Sequence, residues 1–134
     1  MRLTRRYHFA ASHRLNTDAL TPAENASLYG KCNNPFGHGH DYVLDVSVEG
    51  PPDASGQIVG REALDALVQH QVLDRVDHRN LNCDLPELRD RVATTENLAS
   101  VIEDLLTRQW SLPARLARVR ISETARNTFE LETK

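Results

Sequence analysis

The segment from His38 to Glu49 constrains this chain more than any other. Tyr42, Leu44, Val46 and Val48 fall at every second position, with Asp41, Asp45, Ser47 and Glu49 among the residues between them. Side chains alternate between the two faces of a strand, so this pattern predicts a strand with one buried face. Such a strand needs partners in a sheet and a layer to cover its apolar side. The same two-residue repeat governs His38 and His40, which share the parity of Tyr42. Both imidazoles therefore project at the end of the apolar face, and Gly37 and Gly39 leave room beside the backbone.

The rest of the chain supplies the partners. Leu3, Tyr7 and Phe9 alternate with Thr4, Arg6 and His8, which predicts a strand over about residues 2–9, or in bent form to Leu15. Residues 16–37 have no period and read as a long loop, with a helical turn near Pro22–Leu28; loops of this length are usually functional. GPPDASGQ at 50–57 is turn chemistry. Leu64, Leu67, Val68 and Val72 mark one amphipathic helix. Leu98, Val101, Ile102 and Leu105 mark a second, opened by Thr94 or Thr95 as N-cap, with Pro113 blocking continuation. Ala117, Val119 and Ile121 form a third strand, and Phe129 with Leu131 a fourth. The order strand-strand-helix-helix-strand-strand predicts an α+β fold: a four-stranded antiparallel sheet with two helices on one face. The opposite face then either closes against other subunits or is polar.

With 134 residues the chain is expected to form a single domain, residues 1–134, able to bury roughly two-thirds of its unfolded surface. The net charge of −3 gives no basic field for nucleic acid or an anionic membrane, and neither is expected as a partner. MRLTRRYHFAASHRL lacks the apolar run of a signal peptide, and Cys32 and Cys83 form no CxxC pair. Free thiols in the cytoplasm are the expectation.

His38 and His40 need a third ligand to make a metal site, and His13, at the end of the first strand, is the best placed by topology. Three histidines with an open fourth position is the arrangement of a catalytic zinc. The absence of an HExxH motif removes the familiar zinc hydrolase. His8, His70 and Cys83 belong to no motif and read as structural or exposed.

Five motifs in order carry a resemblance over essentially the whole chain. They are Ala11-Ser12-His13-Arg14-Leu15 and Cys32-Asn33-Asn34-Pro35 with Gly37-His38-Gly39-His40-Asp41-Tyr42, then LDRVDHRNL at 73–81, Thr94-Thr95-Glu96-Asn97, and Ser122-Glu123-Thr124. Together they resemble the 6-pyruvoyl-tetrahydropterin synthase family. The resemblance implies the tunnelling fold (T-fold), a homohexamer built as a dimer of trimers, and active sites at subunit interfaces. It implies one Zn2+ per subunit on His13, His38 and His40, with Cys32 as catalytic base and Asp77 with His78 as a proton-relay pair. Glu123 matches the pterin anchor, and Thr95 and Glu96 match further pterin-pocket positions. The implied activity is a lyase that turns 7,8-dihydroneopterin triphosphate into 6-pyruvoyl-tetrahydropterin and releases triphosphate. The alternatives are a 6-carboxy-tetrahydropterin synthase on the route to 7-deazaguanine bases and a non-catalytic pterin-binding T-fold protein. The six-residue step from Cys32 to His38 resembles the pyruvoyl enzymes, and keeping Cys32, Asp77 and His78 argues against a binding module. Arg14 and Lys31 are candidates for contact with triphosphate. Phe36 departs from the small or polar residue usual at its position, as does Val59-Gly60-Arg61-Glu62 from the usual start of the first helix.

Overall fold

The computed structural model describes residues 1–133. Its centre is a pair of twelve-residue strands, β1 (Arg2–His13) and β2 (His38–Glu49), joined in unbroken antiparallel register from Arg2 opposite Glu49 to His13 opposite His38. β1 is thus continuous to His13 and ends there. On β2 lies β4 (Arg115–Ser122), and on β4 lies β5 (Thr128–Glu132), both antiparallel. The expected four strands gain a fifth. β3 (Arg79–Asn80) runs parallel to β1 beside Ala11 and Ser12 and completes the sheet order β3-β1-β2-β4-β5. Two residues are too short to show any period, which is why the sequence carries no sign of it.

One face of the sheet is covered by helices. α2 (Arg61–Val68) continues through a wide π-type turn at Gln69–Leu73 into the short α3 (Asp74–Val76). Leu64, Val68, Val72 and Val76 are fully buried along this path. α5 (Thr95–Arg108) buries Leu98, Val101, Ile102, Leu105 and Leu106 against Leu44, Val46, Val119 and Ile121 of the sheet. Each such side chain contributes about 1.5–3 kcal/mol on burial. Thr94 is the N-cap of α5, accepting from the amide of Asn97. The long loop holds a short α1 (Pro22–Tyr29), opened by a capping box between Thr21 and Glu24, and then a tight turn over Gly30–Asn33. α4 (Leu81–Asp84) follows β3 and is capped by Asn80. Among the described residues no helix is long and apolar enough to cross a membrane.

The opposite face is polar, one of the two expected outcomes. Arg2 meets Glu49 at 2.6 Å, Arg6 meets Asp45 at 2.9 Å, and Arg118 and Arg120 both reach Glu130 at 3.5 Å. Asp45 and Ser47 are buried within this face.

Candidate functional site

The parity of the strands decides which side chains meet at the end of the helix-covered face. Phe9, Ala11 and His13 of β1 point there, as do His38, His40 and Tyr42 of β2. β4 brings Val119 and Ile121, and Glu123 follows one step beyond the strand. Cys32 arrives from the turn after α1, tied to the segment just beyond β1 by the amide of Leu15, which donates to the Cys32 carbonyl at 2.7 Å. Gly37 makes this crossing possible. Its φ is +80°, and a Cβ there would lie 2.8 Å from the carbonyl oxygen of His13.

The result is a compact group of donors. One ligand atom from each of His13, Cys32, His40 and Glu123 lies within 4.8 Å of all the others. Glu123 Oε1 is 3.2 Å from His40 Nε2 and 3.6 Å from His13 Nε2, and Cys32 Sγ is 3.7 Å from His40 Nε2. His38 packs its ring edge-on to that of His40, centroids 4.8 Å apart, and stands beside this group of four without being part of it.

His13 is fully buried. Its Nδ1 lies 2.7 Å from the carbonyl of Ala93. A carbonyl only accepts, so Nδ1 carries the proton and Nε2 presents a lone pair to the cluster. That Nε2 has no hydrogen-bond partner. Burial holds both His13 and His40 below the usual imidazole range, against the carboxylate of Glu123, so both are neutral donors. Burial, followed by the Glu123 charge, pushes the Cys32 thiol up. A cation in the cluster would reverse that sign and favour the thiolate. Two neutral imidazoles, one of them with an orphaned buried nitrogen, a thiol and a carboxylate fit a borderline transition-metal ion.

Two more polar atoms nearby are buried without partners. The Tyr42 hydroxyl, whose ring stacks on Phe9 at 4.8 Å, and the Thr95 hydroxyl at the start of α5 approach one another, yet neither has a hydrogen bond of normal geometry. Thr95 is one of the expected pocket residues, and Glu96 beside it is exposed. Tyr42 was missed by sequence reasoning as more than core. Its parity with His40 was the available signal.

Asp77 and His78 form a pair, 3.1 Å apart, at the other edge of β1. The amide of Ala10 donates to Asp77 at 2.9 Å, and the amide of His78 donates to the Ala10 carbonyl at 2.6 Å. His78 has a φ of +59°, and its side chain is 82% exposed. Among the described residues no hydrogen bond or ion pair joins it to Cys32, His13 or Glu123 within the protomer. It lines an open groove of about 610 Å³ with Ser12, Gly39, Asp41, Arg79 and Asp84. Phe36 is 94% exposed on the loop between Cys32 and His38.

A family profile described as 6-pyruvoyl tetrahydropterin synthase matches residues 2–134. The chain belongs to the 6-pyruvoyl tetrahydropterin synthase family. It is 40% identical to the 6-pyruvoyl tetrahydrobiopterin synthase of Drosophila melanogaster over 93% of its own length and 75% of the relative's. It is 42% identical to the human protein of that name, over 93% of this chain and 86% of the relative. Among solved structures, the 6-pyruvoyl tetrahydropterin synthase of Caenorhabditis elegans superposes with a TM-score of 0.92 at 38% identity, covering 100% of this chain and 96% of that one. The chain therefore shares the fold of the family.

Proposed function

We propose that this chain is a zinc-dependent lyase that converts 7,8-dihydroneopterin triphosphate to 6-pyruvoyl-tetrahydropterin and releases triphosphate. The observation that carries this reading is the orphaned Nε2 of His13. It faces His40, Glu123 and the Cys32 thiol in a chain of the synthase family. His13, His38 and His40 would hold one zinc ion. When bound, zinc supplies Lewis-acid polarisation of the two side-chain hydroxyls of the substrate, which acidifies their carbon-bound protons.

The chain's own residues do the rest. Cys32 removes a carbon-bound proton as general base. Loss of triphosphate leaves one side-chain carbon as a ketone. The other alcohol carbon becomes a ketone as its hydrogens migrate to the ring, taking it from dihydro to tetrahydro. The electrons balance within the substrate, so no redox cofactor enters. Glu123 accepts the paired N–H donors of the pterin edge, with Thr95 and Glu96 lining the same pocket. Asp77 fixes the tautomer of His78 and stabilises its charged form for proton transfer.

In this reading the Asp77–His78 pair serves the Cys32 of a neighbouring subunit. The proposed assembly is a homohexamer of single-domain subunits in which each site draws on two chains. A cytoplasmic enzyme is consistent with the free thiols of Cys32 and Cys83.

The test is product analysis. Purified, metal-replete protein is incubated with 7,8-dihydroneopterin triphosphate beside a Cys32→Ala control and followed by mass spectrometry. The pyruvoyl product with free triphosphate is expected from the wild type alone. A carboxy product with acetaldehyde would keep the site and replace the reaction. No turnover despite bound metal would leave a pterin-binding protein.

A further inference from the structure

The ring of Tyr42 stands against the donor cluster, its centroid 5.6 Å from that of His40 and 6.5 Å from that of His13. The side chain is 1% exposed, and its hydroxyl is buried without a hydrogen bond of normal geometry. Such a hydroxyl costs roughly 1–3 kcal/mol, whereas phenylalanine would stack on Phe9 in the same place without that cost. We propose that Tyr42 is a positioning residue: its hydroxyl donates to the Glu123 carboxylate and fixes the plane in which that carboxylate meets the pterin ring. This role rests on Glu123 being the pterin anchor, as proposed above.

Register brings the two side chains together. Val43 lies opposite Ser122, so one further step of the pairing between β2 and β4 sets Tyr42 opposite Glu123. Residues opposite one another on antiparallel strands have Cβ atoms about 4.5–5.5 Å apart. Burial, and next the charge of Glu123, pushes the Tyr42 phenol up, in keeping with a carboxylate close to the hydroxyl. Beside it stands the Thr95 hydroxyl, from the first turn of α5, also buried and unpartnered. Thr95 donating to the Tyr42 oxygen, and Tyr42 to Glu123, satisfies both hydroxyls in one chain.

Glu123 has a use for such a donor. Its Oε1 stands 3.6 Å from His13 Nε2, which presents a lone pair and no proton. Among the described residues no hydrogen bond of normal geometry reaches its carboxylate. A carboxylate has about four acceptor positions, and the paired N–H donors of a pterin edge take two of them. Tyr42 is the orphaned donor placed to take up the rest. A carboxylate held in this way is oriented before the ring arrives, so little ordering is left to oppose binding.

The test titrates metal-loaded, full-length protein with neopterin, followed by its fluorescence, and with the analogue in which oxygen replaces the 2-amino group. Neopterin keeps the ring edge and lacks the triphosphate, so binding is measured without turnover. Tyr42→Phe is compared with the wild type and with Tyr7→Phe, whose hydroxyl serves Asp65. Tyr42→Phe is expected to bind neopterin about tenfold more weakly, the effect of one hydrogen bond to a charged group, with metal content unchanged. The 2-oxo analogue offers the anchor one donor beside a carbonyl, so its affinity should change less and the preference for neopterin should narrow. Tyr7→Phe should bind both compounds like the wild type. Unchanged neopterin affinity in Tyr42→Phe would overturn the assignment. So would loss of metal, an equal weakening of both compounds, or an equal loss in Tyr7→Phe, each of which marks a structural effect. If the preference narrows in Tyr42→Phe but the wild type forms no pyruvoyl product, the positioning role stands and the assigned reaction falls. If the product forms and Tyr42→Phe binds like the wild type, the reaction stands and the positioning role falls. A wild type that does not bind neopterin would remove both the anchor and the role of Tyr42.

Discussion

The helix-covered face of β1 and β2 carries polar groups at both ends, and the two ends are treated in opposite ways. At the end far from the site, Arg5 makes two contacts to Asp65 of α2, at 3.0 and 2.5 Å, and Tyr7 donates its hydroxyl to the same carboxylate at 2.6 Å. There Arg5, Tyr7 and Asp65 satisfy one another. At the other end His13 Nε2, the Tyr42 hydroxyl and the Thr95 hydroxyl are buried with none. An unsatisfied buried polar group costs roughly 1–3 kcal/mol, so three in one place are a load that folding alone would not retain. The saturated end is architecture, and the unsaturated end is built around something the chain binds.

Emptying the unsaturated end of its donors should give the largest effects. His13→Ala is expected to take the metal from about one ion per subunit to near none by elemental analysis, and turnover with it, because the one nitrogen that has no other use is gone. Retained metal in that variant would break the comparison. Cys32→Ala comes next. The metal should stay, while turnover falls by about 10²–10⁴-fold, the range for loss of a general base. Loss of metal along with activity would make Cys32 a ligand before it is a base.

The two ends also differ in how far the sequence exposes them. The parity of His38, His40 and Tyr42 follows from a period of two, and so does that of Glu123 with Val119 and Ile121. Those placements were legible because a strand leaves no choice of face. The contact that fixes the His13 tautomer, with the Ala93 carbonyl eighty residues away, has no local sign. The same is true of the hydrogen bond from the Ala10 amide to Asp77, and of β3, which sets Arg79 beside Ala11. Glu123 was expected as a pterin anchor. Its position 3.2 Å from His40 makes it a neighbour of the metal donors as well, a consequence of register between β2 and β4 that periodicity alone does not give.

At the saturated end, removing a partner should affect stability and leave chemistry alone. Asp65→Asn is expected to cost about 1 kcal/mol by chemical denaturation, a figure kept low because the pair is partly open to solvent, with kcat unchanged. Hydrogen bonds from Arg5, then from Tyr7, hold the Asp65 carboxyl below its ordinary 3.8 against the opposing effect of burial. Its folded pKa is the lower of the two, so its stabilising contribution is present above about 4 and is lost as pH falls through the folded value. The acid limb of the stability profile should therefore flatten in Asp65→Asn. A drop in kcat instead would connect the two ends and undo the distinction between them.

The smallest effect tests the distinction most closely, because it asks for a gain. Tyr42→Phe keeps the ring that stacks on Phe9 and removes only the hydroxyl that has no partner. With no ligand bound, the variant loses nothing it was using and is relieved of one desolvated donor. It should be as stable as the wild type or more so, by up to about 1 kcal/mol in denaturant titration. The same deletion at Tyr7, whose hydroxyl is engaged with Asp65, should lower stability. Opposite signs from one chemical change on two tyrosines of one sheet face would tie the orphaned hydroxyl to binding. A loss of stability at both positions would mean that Tyr42 already has a partner within the fold.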